Sequence, residues 1–361
     1  MVRFTILASG SKGNSSVITA GHTRILVDAG LSCRELFRRM QLADEDPLTL
    51  DAILITHEHA DHVNGLVGTA RKLGIPVYFT ESTHRAWMRQ LSPRRQMTYA
   101  QWLEQRRQQQ ADKEVAETGT DSGAAAELSF AAESGFAAEP GLIDPDTALD
   151  NPALESDGES ISACDSAGEP ISGEAEIASS QVPAGLEAAV RPRSWLPAVE
   201  YFEAGVSFSI GEIAVSPFTI SHDAADPVGF VFAAEGVRLA LATDLGYLSP
   251  NVKAQLAQVD LLQIESNHDL EMLRDGPYPW SVKQRVLSRV GHLSNDATGE
   301  FLEQEYDGQA SYVILAHLSE KNNLPDLARI CAEQALTSHA SLLANRLLLA
   351  RQHEPLRSIY F

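Results

Sequence analysis

Seven consecutive residues, Thr56-His57-Glu58-His59-Ala60-Asp61-His62, constrain this chain more than any other stretch. They carry three histidines and two carboxylates, in a sequence that holds 11 histidines in all. They follow Leu50-Asp51-Ala52-Ile53-Leu54-Ile55, an apolar, β-branched run that reads as a buried strand. The imidazoles and carboxylates therefore emerge at a strand end, on a loop held by a rigid sheet. Imidazole with carboxylate is a ligand set for zinc, manganese or iron rather than for calcium. His57 and His59, two positions apart, suit one metal; Asp61 and His62 turn the other way and suit a second. The segment reads as a metal site.

The rest of the chain repeats this pattern of strands that end in polar side chains. Arg3–Leu7, Ser16–Thr19 and Thr23–Val27 read as strands, the last ending in Asp28-Ala29-Gly30. Between the first two lies Ser9-Gly10-Ser11-Lys12-Gly13-Asn14-Ser15, either a plain turn or a cradle of amides and Lys12 for a phosphate. Asn64–Leu73 is expected to be a helix and Ile75–Phe79 a strand, a βαβ rhythm. Residues 84–107 read as a helix rich in arginine (Arg85, Arg89, Arg94, Arg95, Arg106, Arg107), either a solvated face or a patch for a phosphodiester backbone. Beyond Trp195 come a hairpin (Val206–Ile210, Ile213–Phe218) and strands at Val228–Ala233, Arg238–Ala242, Val259–Leu262 and Ser311–Leu315. Helices are expected at Lys283–Val290, 296–306, with Ser294 or Asn295 as N-cap, and Pro325–Ala335. Arg346–Ala350 and Ser358–Phe361 look like a closing pair of strands.

The formal charge of −21 argues at face value against a nucleic-acid partner. It is unevenly spread. Residues 112–190 hold 18 acids and one lysine, net −17, whereas the remainder is net −4. The headline charge belongs to one segment and does not describe the part that carries the histidines. Residues 108–193 are rich in Ala, Glu, Ser, Gly, Pro and Asp and poor in large apolar side chains, so disorder is expected there. The segment reads as a solvated insertion, with partner binding or self-inhibition by polyanion mimicry as the functional alternatives. Cys33, Cys164 and Cys331 are too few and too scattered for a zinc ribbon or a disulfide framework. With no signal-like start and no run of 18 apolar residues, a cytoplasmic protein without a membrane anchor is expected.

The stretches LASGSKGNSS, THEHADHVNGL, SHDAADPVGF, ATDLG, ESNHD, GHLSN and AHLSEKNN together resemble the metallo-β-lactamase superfamily. The likeness is closest to its YycJ/WalJ-like branch, which is similar to tRNase Z and is described as 5′-to-3′ exonucleases on double-stranded DNA. The resemblance implies an α/β fold, the αββα sandwich, built from residues 1–107 and 194–361 as two halves of one domain around the acidic insertion 108–193. Only 72 residues separate Asp244 from His317, too few for the extra domain that β-CASP nucleases carry there. The resemblance also implies the site. His57, His59 and His222 would hold one divalent ion, and Asp61, His62 and His317 another. Asp244 would bridge the two, and Asp28 would support the metal loop. Zinc and manganese suit these residues, and iron does too. A metal-bridged hydroxide would attack phosphorus, oriented by Asp61, while His292 would stabilise the transition state or protonate the leaving oxygen. Ser11, Lys12, Asn14, Ser294 and Asn295 are candidate phosphate contacts. His268 is either a further substrate contact or a partner that orients a ligand.

Three functions compete on these residues. A nuclease acting on DNA or another nucleic acid gains from the GHLSN segment and the arginines of 84–107. A small-molecule hydrolase of a thioester, lactone or cyclic phosphate ester is the alternative, left open by the overall acidity. A non-enzymatic scaffold is disfavoured by the complete ligand set.

Overall fold

Strict alternation of side-chain direction along Thr23–Val27 places Ile25 and Val27 on one face of the strand and Leu26 on the other, and all three are buried. A strand covered on both sides needs a layer on each. A computed structural model describes residues 1–92, 103–104, 106–108, 194–337 and 346–361, and supplies both layers. The described strands form two seven-stranded sheets. The first contains β1 (Val2–Ala8), β2 (Ser15–Ala20), β3 (Thr23–Val27), β4 (Ala52–Leu54), β5 (Pro76–Phe79), β6 (Ala198–Tyr201) and β14 (Ile359–Tyr360), in the order β14-β1-β2-β3-β4-β5-β6. The second runs β13-β12-β11-β10-β9-β8-β7, from β7 (Phe208–Ile210), β8 (Ile213–Thr219), β9 (Val228–Ala234), β10 (Val237–Ala242), β11 (Leu261–Glu265), β12 (Tyr312–Ala316) and β13 (Arg346–Leu349).

Three apolar clusters show how the layers stack. Phe4, Ile18, Ile25 and Leu54 meet Phe230, Phe232, Leu239 and Ile314 between the sheets. Outside the first sheet, Leu26, Ile53 and Val77 pack on helices Cys33–Leu42, Leu66–Leu73 and Glu81–Leu91 through Leu36, Met40, Leu66 and Trp87. Outside the second, Ala240, Leu262 and Val313 pack on Asn295–Gln304 and Pro325–Leu336 through Phe301, Leu302 and Ala332. The expected αββα sandwich is therefore present. Strands β3, β4 and β5 run parallel, as do β10, β11, β12 and β13. Their carboxyl ends are the natural place for a site in an open α/β sheet.

Several elements differ from expectation for identifiable reasons. Arg346–Ala350 and Ser358–Phe361 do not pair with each other. Strand β13 lies parallel to β12 and β14 antiparallel to β1, so the terminus closes the free edge of each sheet in turn. The helix expected over Asn64–Leu73 begins two residues later, at Leu66, and a separate short helix, Ala60–Val63, precedes it; between them Gly65 lies against the Leu31 carbonyl and donates to the Ala29 carbonyl. The helix expected at 84–107 starts earlier, at Glu81 behind the Thr80 cap, and this element ends at Leu91; most of the remainder falls outside the described residues. The expected helix Lys283–Val290 is observed at Trp280–Val286. Strand β6 was not anticipated: it is four residues long and mostly exposed, so periodicity had nothing to register. Strand β11 runs on to Glu265, three residues past its expected end. The acidic insertion, apart from its first residue, also lies outside the described residues.

One buried cation ties the first helix to both chain termini. Arg39 donates to the Leu7 carbonyl at 3.1 Å, the Gln352 carbonyl at 2.6 Å and Glu35 at 2.7 Å. Arg39→Ala leaves two buried carbonyls without donors and should destabilise the fold by about 2–4 kcal/mol. The urea midpoint of unfolding would measure this, with an unchanged midpoint counting against the assignment.

Candidate metal centre

Strands β3, β4, β8, β10, β11 and β12 each deliver a polar side chain to the seam between the sheets at or just past the carboxyl end. Asp28 follows β3, His57 to His62 follow β4, and His222 follows β8. Asp244 follows β10, Glu265 ends β11, and His317 follows β12. Asp28, Asp244 and His317 adopt φ values of 59°, 58° and 55°. Non-glycine residues rarely take this left-handed conformation, which costs roughly 1 kcal/mol or more per residue. Here it turns the chain sharply at the strand end and throws the side chain across the mouth.

Two ligand sets result. His57, His59 and His222 present ring nitrogens within 4.8 Å of one another, and so do the ligand atoms of Asp61, His62, Asp244 and His317. Within the second set, His62 Nε2 lies 3.2 Å from Asp61 and 3.3 Å from Asp244, and His317 Nε2 lies 3.7 Å from Asp61. Asp244 also acts electrostatically on His57 and His222, so its carboxylate faces both sets. Four of the histidines are held from outside through Nδ1. His57 contacts the Thr56 hydroxyl at 3.0 Å, and His62 contacts Asp28 at 2.8 Å. His222 contacts the Gly291 carbonyl at 3.2 Å, and His317 contacts Glu265 at 2.8 Å. An outer partner on one nitrogen leaves the other aimed inward, the arrangement expected of metal-bound imidazole.

The protonation balance has the same origin. Burial, then the neighbouring His62, pushes His57 well below the ordinary histidine range, and burial with His59 pushes His222 down to about 3. These rings are neutral and ready to ligate. Burial opposes charge on His62 and His317 too, but the carboxylates around them (Asp61, Asp28 and Asp244 for His62; Asp244, Asp61 and Glu265 for His317) hold both well above that range. The second set is therefore a buried anionic cage that draws positive charge.

The fit to cations rests on atoms with nothing else to do. His57 Nε2, Asp61 Oδ1, both carboxylate oxygens of Asp244 and His317 Nε2 are buried without a hydrogen-bond partner. Orphaned buried polar atoms are costly, and metal ligation removes that cost. These clusters and the fold indicate divalent metal binding.

The structure distributes the other expected site residues between this centre and its scaffold. Asp28 accepts from the Thr56 amide at 2.9 Å as well as from His62. Asn14 donates to Asp61 at 2.8 Å and touches His62, so it holds ligands in position. The amides of Gly10, Lys12, Gly13 and Asn14 all donate within the protein, Lys12 Nζ pairs with Glu320 at 2.9 Å, and Ser11 is buried. The loop's visible task is to brace the metal residues. Ser294 caps its helix through Ala297, while Asn295 is engaged with Ser266 and Asn323. His268 is buried with neither ring nitrogen hydrogen-bonded, and burial, with His292 adding to it, pushes its pKa down to about 4. His292 stands with its ring 5.2 Å from His222 of one set and 5.2 Å from His317 of the other.

Sequence reading missed Glu265. Its Oε1 accepts from His292 and His317, each at 2.8 Å, and its Oε2 accepts from the amides of Leu245 and Leu293. Burial would raise its pKa, but His292 and His317 keep it below the ordinary range, and the carboxylate stays charged. Its only sequence signal was an acid at the end of an apolar run. The role of Thr56, just ahead of the first ligand, was missed as well.

Comparison with known proteins agrees with this geometry. Residues 8–145 match the metallo-β-lactamase superfamily model, and residues 173–318 match the β-lactamase superfamily domain model. The chain has the metallo-β-lactamase fold. It resembles the exodeoxyribonuclease YycJ of Bacillus anthracis, 29% identical over 93% of this chain and 89% of that protein. It is also similar to the exodeoxyribonuclease WalJ of Streptococcus pneumoniae, 28% identical over 91% of this chain and 86% of that one. Among solved structures, the metallo-β-lactamase fold protein YhfI from Bacillus subtilis superposes with a TM-score of 0.51 at 11% identity, covering 99% of this chain and 100% of its own. Zn²⁺-bound PqqB from Methylobacterium extorquens does so with a TM-score of 0.50 at 14% identity, covering 98% and 99%. The chain is accordingly a metallo-hydrolase. Among the described residues, no helix is long and apolar enough to cross a membrane.

Two measurements probe the centre. Glu265→Gln removes the charge behind His317 and should weaken metal binding about 10–100-fold with the fold retained. Competition against a chromogenic chelator, with circular dichroism as control, would read this. Metal affinity should also fall as pH is lowered. His62 and His317 hold their protons above the usual range and must each release one to ligate, so acid competes with the metal. A pH-independent affinity would contradict the anionic-cage account.

Proposed function

We propose that this chain is a metal-dependent nuclease acting on DNA, a 5′-to-3′ exonuclease on double-stranded ends. One juxtaposition carries the reading: the Glu265-held imidazole of His292 stands equally near both ligand sets. The relatives named as exodeoxyribonucleases support it. On this reading His57, His59 and His222 hold one zinc or manganese ion, Asp61, His62 and His317 hold a second, and Asp244 lies between them. Such ions would acidify a bound water and neutralise charge on a phosphoryl group. Residues 1–107 and 194–361 act as one catalytic domain in the cytoplasm, with the acidic segment 108–193 inserted between its halves.

The protein's own groups complete the reaction. Asp61, steadied by Asn14, orients the attacking water. Glu265 on Nδ1 fixes the His292 ring and leaves Nε2 to hold a proton. As water adds to phosphorus and the bond to the 3′-oxygen breaks, Nε2 donates that proton to the leaving oxygen. The products are a nucleoside 5′-phosphate and a shortened strand that again begins with a 5′-phosphate. His268, buried beside His292 without a partner, is assigned to substrate contact.

The test is release of nucleotides from 5′-phosphorylated linear duplex DNA with Mn²⁺ or Zn²⁺, beside matched RNA. Degradation should require metal and disappear in Asp61→Ala/His62→Ala. His292→Ala should keep its metal yet lose about 10²–10⁴-fold in kcat. Hydrolysis of a simple phosphodiester without attack on any nucleic acid would transfer the assignment to a small-molecule esterase.

A further inference from the structure

The lip of the site between Pro279 and His292 is basic and apolar. Residues 279–290 carry Lys283, Arg285 and Arg289 and not one carboxylate. Its outer face is apolar: Trp280 is 65% exposed, Leu287 50% and Val290 43%. Tyr247 meets the lip at Arg289, whose guanidinium carbon lies 4.0 Å from the ring centroid.

This lip cannot lie far from the chemistry. Tyr247 is three residues past Asp244, and Arg289 is three residues before His292. The two loops meet backbone to backbone: a Cβ on Gly246 would stand 2.5 Å from the Gly291 amide nitrogen and from the Ser288 carbonyl oxygen. The Gly291 carbonyl in turn holds His222, and Arg285 pairs with Asp223 beside it. Lys283 is buried, its ammonium donating to the Arg274 and Gly276 carbonyls, so Arg289 over Tyr247 is the exposed cation of this face. An exposed aromatic and apolar face carrying a guanidinium matches an occupant that brings flat apolar rings and negative charge together. Nucleic acid does both, through base stacking and phosphate contacts. Bases inside a duplex are already stacked on their neighbours, so this face suits unpaired ones.

We propose that Tyr247, Arg289 and Trp280 form a stacking platform for the unpaired terminal nucleotides of the strand entering the site. The proposal rests on the nuclease reading and narrows its substrate to ends that are frayed or carry a short single-stranded 5′ tail. Tyr247 and Arg289 hold the base nearest the scissile phosphate, and Trp280 takes one farther out.

The experiment compares the full-length metal-loaded protein with Trp280→Ala, Tyr247→Leu/Arg289→Gln and the aromatic-retaining Trp280→Phe. Substrates are a 5′-phosphorylated duplex with a short unpaired 5′ tail, the same duplex blunt-ended, and bis(p-nitrophenyl) phosphate, which is too small to span the platform. Wild type should prefer the tailed duplex. Trp280→Ala and the double variant should each raise KM for it about tenfold. Trp280→Phe should remain near wild type, and turnover of the small diester should stay within about twofold in all of them. An unchanged KM on the tailed duplex overturns the platform, and so does an equal loss on the small diester, which would mark a merely structural role. Wild-type protein that hydrolyses the small diester but no nucleic acid overturns the nuclease reading itself, a pattern distinct from either.

Discussion

Four buried carboxylates, those of Asp28, Asp61, Asp244 and Glu265, share one small volume at the seam of two sheets, and the surrounding structure is arranged around that charge. Buried anions persist only when they meet cations or hydrogen-bond donors. Asp28 is satisfied by Thr56 and His62, and Glu265 by His292, His317 and two amides. Asp61 keeps one oxygen without a donor and Asp244 keeps two. The carboxylates thus fall into two kinds: an outer pair that orients imidazoles, and an inner pair left over for divalent ions.

Holding that arrangement takes parts from the whole length of the chain. Ser9 accepts from the His317 amide, Asn14 from the first loop reaches Asp61, and Asn267 after β11 donates to the His317 carbonyl. Close approach is part of the design. A Cβ on Gly30 would collide with the Asp61 carbonyl, so Asp28-Ala29-Gly30 can lie flat against the metal loop only with glycine in that place. The backbone twist at Asp28, Asp244 and His317 stores strain at the site, which the sheets beneath over-determine.

Much of this is legible in the sequence. The run Ala52–Leu54 is apolar and ends in a cluster of ligand-type residues, and strand period 2 with a rigid end is a local property that sequence displays directly. His222, Asp244 and His317 were findable for the same reason, each standing just past a strand. The ordering of motifs carried the fold class. What failed did so where local pattern is weak or silent. Strand β6 is short and exposed, and β13 and β14 look like natural partners by proximity in sequence yet serve different sheets. Glu265 looked like the first residue of a loop because β11 was ended too soon.

The sequence alone determined the inventory: which side chains able to ligate metal stand at strand ends, how the hydrophobic period layers the sheets, and where the negative charge is concentrated. Those follow from chain-local chemistry, so they can be read one segment at a time. Tertiary structure alone decided which of those side chains face inward unpaired and which are consumed by the scaffold. Asn14, Ser294 and Asn295 read as phosphate contacts along the chain; in the fold their polar groups are occupied by Asp61, Ala297, Ser266 and Asn323. Glu265 read as nothing in particular and became the hinge between His292 and His317. A hydrogen bond depends on two groups meeting, and residues 27 and 52 positions apart meet only once the sheets have closed.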